Sequence, residues 1–95
     1  MARWREEAPV RIRLTRRQAE RLRQDWYYRH ADYAWTAEDE CVMTFGEGDR
    51  EVVLELLRWL GPGAELLEPA AWREAFRSEL AQMLAVYADP GAAGP

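Results

Sequence analysis

Val10, Ile12 and Leu14 alternate with Arg11 and Arg13, so this segment is apolar on one side and cationic on the other, the period expected of a half-buried strand. Thr15 follows, with Gln18 three residues on. That is the spacing of a capping box, in which the hydroxyl accepts from the backbone at 18 and the amide reaches back to the backbone at 15. The helix it opens has Ala19, Leu22 and Trp26 as its inward stripe and Arg16, Arg17, Arg21 and Arg23 outside it. Tyr33 and Trp35 then alternate with Ala34 and Thr36, residues 37–40 are polar enough for a turn, and Cys41, Met43 and Phe45 alternate with Val42 and Thr44. The pattern predicts a hairpin closed by Gly46 and Gly48. Asp49 is placed to cap a second helix carrying Val53, Leu56, Leu57 and Leu60, which Gly61 and Pro62 stop. Residues 64–68 read as a short strand. After Pro69, Trp72, Phe76, Leu80, Met83, Leu84 and Tyr87 trace one stripe over about four helical turns.

The predicted order is strand, helix, strand, strand, helix, strand, helix, which gives an α+β fold: a ferredoxin-like βαββαβ sandwich with an added C-terminal helix. Residues 1–9 read as a flexible leader, 10–88 as the folded domain and 89–95 as a disordered Gly/Pro-rich tail. Right-handed crossovers place both crossover helices on one face of the sheet. The face bearing Arg11 and Arg13 is then either wet or covered by the third helix or a second subunit.

Composition narrows the function. A chain of 95 residues supports one core, and 48% hydrophobic residues with five tryptophans are enough to build it without disulfides or metal. The lone Cys41 lies in an alternating apolar segment and reads as a small core residue, and one cysteine with one histidine, His30, gives no zinc spacing. No cofactor is expected. His30 near Asp32 lacks a serine or cysteine nucleophile, and the acids Glu38, Asp39, Glu40, Glu47 and Asp49 lack the spacing of a calcium loop, so they read as solvated turns. No apolar run approaches the roughly 18 residues of a membrane span, and the first residues do not resemble a signal peptide. The expectation is a cytoplasmic protein that is not an enzyme. Net charge is −4, split between residues 1–30, with nine arginines against four acids, and the remainder, with four against thirteen. All basic residues are arginines, which suit bidentate contacts to phosphate or carboxylate. Such a split fits an anionic ligand, self-association between opposite faces, or solvated faces with local ion pairs.

Three stretches carry a resemblance: VRIRLT at residues 10–15, LLRWLGPGAELLEP at 56–69, and the closing helix from Trp72 to Tyr87. From Val10 to about Tyr87 the chain resembles the WCX domain, the C-terminal extension of bacterial transcription regulators that carry a WYL domain. The resemblance implies a ferredoxin-like domain that helps the regulator dimerise and respond, with the WYL domain, to a ligand that in some cases is nucleic acid. Its partners would be the WYL and DNA-binding domains, in cis or in trans. The chain departs from the full regulator in having no helix-turn-helix pattern and no WYL domain, so it reads as a fragment of a longer regulator or as a stand-alone domain.

Arg11, Arg13, Arg16, Arg17, Arg21 and Arg29, with Tyr33 and Trp35 on strand positions, are the candidate surface for an anionic effector such as a nucleotide or single-stranded nucleic acid, because arginines neutralise phosphates and flat aromatics stack on bases. The parity of Tyr33 and Trp35 relative to the core stays open, and core packing, a solvated face or a dimer surface are the competing readings. Trp72, Phe76 and Leu80 are candidate core or interface residues. The alternative to effector binding is a purely structural domain that homodimerises or binds proteins, with no small ligand. Two other ferredoxin-like functions are disfavoured by residue type: an acylphosphatase needs an asparagine to position its water, and the sequence has none, while an RNA-recognition motif needs more than the single ring of residues 41–45.

Overall fold

The computed structural model describes residues 9–88. The expected leader and tail fall outside these residues, except that Pro9 is already the first residue of β1 (Pro9–Thr15). The alternation along β1 is realised fully: Val10, Ile12 and Leu14 are buried and lie under the helices, while Arg11 and Arg13 point to the opposite face. Because β1 is paired on both sides, its core residues anchor the whole sheet. Val10, Ile12 and Leu14 face Phe45, Met43 and Cys41 of β3 (Glu40–Gly46), and Ile12 also faces Leu66 of β4 (Glu65–Glu68). With β2 (Asp32–Ala37) on the far side of β3, the sheet order is β2-β3-β1-β4 and every pairing is antiparallel. The domain is therefore a mixed α+β structure with one four-stranded antiparallel sheet and three α-helices: α1 (Arg16–Arg23), α2 (Arg50–Leu60) and α3 (Ala70–Ala88). Val53, Leu54, Leu56, Leu57 and Leu60 of α2 join Ala19 and Leu22 of α1 over the apolar sheet face.

The capping box forms as its spacing predicts. The Gln18 backbone donates to Thr15 Oγ1 at 3.2 Å and the Thr15 backbone donates to Gln18 Oε1 at 3.1 Å. Asp49 caps α2 by accepting from the Glu51 backbone at 3.0 Å. Trp26 differs from expectation: it is 74% exposed rather than inward. Helix α1 ends at Arg23, and Asp25 Oδ1 then accepts from the backbone of Tyr27 at 2.8 Å and of Tyr28 at 3.3 Å. This side chain starts a 3-10 turn, Tyr28–His30, that carries Trp26 off the helical stripe.

Between α2 and β4 the chain makes a close approach to the start of α1. Gly63 has φ +107°, and a Cβ there would lie 2.9 Å from Thr15 Cγ2. The space it leaves lets the buried Gln18 donate through Nε2 to the carbonyls of Leu60 at 3.2 Å and Pro62 at 3.0 Å. Two substitutions separate these effects. Thr15→Ala is expected to lower the unfolding free energy by about 1 kcal/mol through the lost cap. Gly63→Ala should cost about 2 kcal/mol through backbone strain and the Thr15 contact. Urea denaturation of the two variants checks both the order and the size.

Candidate interaction surfaces

The uncovered sheet face is a ladder of alternating charge. Arg11 faces Glu68, with Nη1 to Oε2 at 3.6 Å, and Arg13 sits between Glu65, which it contacts directly, and Glu40 at 3.8 Å. Glu65 in turn accepts from Arg73 of α3 at 2.7 Å, and the Arg73 and Arg13 guanidiniums hold its carboxyl below the usual carboxylate range. These side chains are near half exposed, so each pair is screened and contributes little to stability. What the ladder does is balance the charge of the face, which Val42, Thr44, Asp32 and Ala34 complete by register.

Tyr33 and Trp35 lie on the other face. Tyr33 pairs with Met43 and Trp35 with Cys41, so both rings share the core side. Tyr33 is half-buried and its hydroxyl donates to the Tyr28 carbonyl at 2.8 Å. Trp35, at the sheet edge, stays 40% exposed, with the Arg16 guanidinium 5.0 Å from its ring centroid. Arg16 also donates to Asp39 at 3.3 Å and to the Glu38 carbonyl at 2.5 Å. The candidate ligand residues are thus divided: Arg11 and Arg13 face open solvent with glutamates, and Arg16, Tyr33 and Trp35 gather at the β2 side of α1. Arg17 and Arg29 are exposed and have no carboxylate at ion-pair distance among the described residues. A further pair escaped the sequence reading: Arg21 lies 4.4 Å over the ring of the exposed Trp59 of α2. Both residues sit on outward helix positions, but nothing in either helix alone brings them together.

The third surface belongs to α3. Its first turns are fixed to the domain by half-buried Trp72 and Phe76 against the core, by Arg73, and by Arg58 of α2, which donates to Glu79 at 2.5 and 2.8 Å. The helix lies beside β4 and α2 and leaves the arginine face open. Past Glu79 the same stripe is progressively uncovered: exposure rises from 46% at Leu80 through Met83 and Leu84 to 82% at Tyr87. A groove of about 310 Å³ runs under its start, lined by Leu57, Pro62, Ala64, Phe76, Leu80 and Met83 among others.

Among the described residues no group of three or more histidine, cysteine or acidic side chains could hold a metal, and no helix is long and apolar enough to cross a membrane. The described residues thus form a small α+β domain with a charge-balanced open sheet face and a projecting apolar helix. The chain belongs to the WCX domain family, whose model matches residues 6–84. No curated protein and no solved structure matches it.

Burial pushes the phenols of Tyr28 and Tyr33 up to about 12 from the ordinary 10.0. A raised phenol favours its protonated form in the fold. The stability this supplies is complete below pH 10.0 and is lost as pH rises through about 12. Absorbance at about 295 nm during alkaline titration should therefore show Tyr28 and Tyr33 ionising late. Tyr33→Phe should remove one late component; a single transition near the ordinary value in the folded protein would contradict this.

Proposed function

We propose that this domain is a non-catalytic regulatory module of a bacterial WYL-type transcriptional regulator, working in the cytoplasm. It docks onto the regulator's WYL or DNA-binding domains, in cis or in trans, through the projecting stripe of α3. We read the sheet, in which β3 lies between the parallel β1 and β2 and β1 lies between the parallel β3 and β4, as the ferredoxin-like plan with α3 added. The observation that carries the docking role is the stripe itself. Leu80, Met83, Leu84 and Tyr87 prolong the face that Trp72 and Phe76 bury, yet Leu80 and Met83 are only about half covered among the described residues, and Leu84 and Tyr87 are mostly exposed. Large exposed apolar side chains in a contiguous row mark an interaction site in a water-soluble domain. Membership of the WCX family supports the kind of partner.

The test is binding of the domain to the separately produced WYL and DNA-binding domains of the regulator, followed by calorimetry. Leu84→Glu, at a position with no core contact, is expected to weaken docking about tenfold while leaving the circular dichroism spectrum unchanged. Equal affinity of the variant would overturn the assignment.

A second reading, response to an anionic effector, is favoured by Arg17 and Arg29, which have no carboxylate partner among the described residues, and by guanidiniums held on the faces of Trp35 and Trp59. Arg11 and Arg13 contribute in this reading if the ligand displaces Glu68 and Glu65. Single-stranded DNA added at low and high salt, followed by tryptophan fluorescence, is expected to give a quench that weakens steeply with salt. No change at low salt would remove this reading.

A further inference from the structure

The helical layer carries a second groove, of about 360 Å³, between α1 and α2. Leu22 and Leu56, both buried, form its floor, and Tyr28, Val52 and Trp59 stand around it, Val52 37% and Trp59 57% exposed. The residues that α2 gives to it, Val52, Glu55, Leu56 and Trp59, recur at helical spacing and run about 10 Å along the helix axis. That is the reach of about three residues of extended chain. Its charge is one-sided: Asp25 and Glu55 line the groove and no basic residue joins them. Glu55 makes no hydrogen bond or ion pair among the described residues. Asp25 gives one oxygen to the backbone of Tyr27 and Tyr28 and meets no cation among the described residues. The Tyr28 hydroxyl also has no partner among the described residues. Burial first, then Tyr27, Glu47 and Asp25, hold its phenol up, so it stays a neutral acceptor in a negative field. We propose that this groove receives an arginine side chain from an extended segment of a partner protein. The guanidinium lies among Tyr28, Asp25 and Glu55, and aliphatic neighbours of that arginine rest on Val52 and Leu56.

The chemistry of the groove selects this occupant. An apolar floor rimmed by carboxylates disfavours anions and suits a cation on a long aliphatic stem, which covers apolar surface while its head reaches the polar rim. Flat rings favour a guanidinium over an ammonium, because the guanidinium is planar and more weakly hydrated. The domain itself makes that pairing twice, with Arg16 5.0 Å from the Trp35 ring centroid and Arg21 4.4 Å from that of Trp59. Arg21 holds the Trp59 end of the groove and rivals an incoming cation there. The end at Tyr28 and Asp25 holds no such rival, and that is where the incoming guanidinium sits. The groove is open along its length, so a chain can lie across it with one side chain turned inward. The surface is separate from the α3 stripe and takes the opposite charge to the effector considered above, so it goes beyond both readings.

Heteronuclear NMR of the full chain, titrated to millimolar concentration with a capped peptide that has leucine on each side of one arginine, tests it. The peptide is expected to shift the Trp59 indole and Tyr28 backbone N–H signals saturably. Replacing its arginine by citrulline, which keeps the shape and removes the charge, should weaken binding about tenfold. Glu55→Gln should weaken it about fivefold, and the exposed position leaves the circular dichroism spectrum unchanged. Arg21→Gln removes the rival cation and should tighten binding about threefold. No shift at these signals overturns the proposal, as does equal binding of the citrulline peptide or indifference to Glu55→Gln. Arginine amide binding as tightly as the peptide overturns an extended protein segment as the source. A glutamate peptide that binds more tightly than the arginine peptide, and loses its affinity in Arg21→Gln, also overturns it by giving the groove to anions. The docking of α3 is read with Leu84→Glu in a different assay and stands or falls independently.

Discussion

Everything in this domain rests on the position of β1. It is paired to β3 on one side and to β4 on the other, and its three apolar residues are all fully or almost fully buried. A strand held on both edges has no freedom of register: a slip by one residue would send three arginine or threonine side chains into the core and three aliphatic ones into water. Fixing β1 fixes the hairpin of β2 and β3 through β3, and fixes the root of α3 through β4. The helices α1 and α2 then have one apolar surface on which to close.

The same alternation sets the chemistry of the open face. Arg11 and Arg13 face outward because Val10, Ile12 and Leu14 face inward, and the antiparallel neighbours answer them with Glu40, Glu65 and Glu68. The uneven charge along the chain is thus partly cancelled in space, where Arg11, Arg13 and Arg16 of the basic first third meet acids from the remainder. Arg17, Arg21, Arg23 and Arg29, on α1 and the turn after it, have no carboxylate at ion-pair distance among the described residues, and of these Arg21 lies over the ring of Trp59. The cations that no carboxylate neutralises among the described residues accordingly lie away from the face that the alternation of β1 made conspicuous.

Much of the fold was legible in the residues. Period-two alternation in β1 and β3, the Thr15 and Gln18 spacing, Asp49 and the glycine and proline after Leu60 all act locally, and each forms the feature its chemistry dictates. Trp26 was misplaced because a helical stripe cannot announce where the helix stops. Its end is set by competition from the Asp25 carboxylate, a side-chain bond that costs the helix nothing in its periodicity. The candidate site was less legible. Whether Tyr33 and Trp35 join Arg11 and Arg13 depends on the register of β2 against β3, a long-range choice made by packing. The partners of the arginines, such as Glu65 some fifty positions from Arg13, follow from a bulged pairing that no local pattern encodes. The α3 stripe was visible as apolar, but its division into a covered start and a bare end is a matter of where the domain beneath it runs out.

Gln18 belongs to two structures at once. Its carbonyl oxygen completes the cap of α1, and its amide nitrogen holds the carbonyls of Leu60 and Pro62 at the far end of α2. A helix start that would ordinarily fray on its own is thereby welded to the turn that leads into β4 and, one strand later, to the base of α3. Opening the cap of α1 therefore also costs the bonds that Gln18 makes to the end of α2, which couples these two places in any local opening.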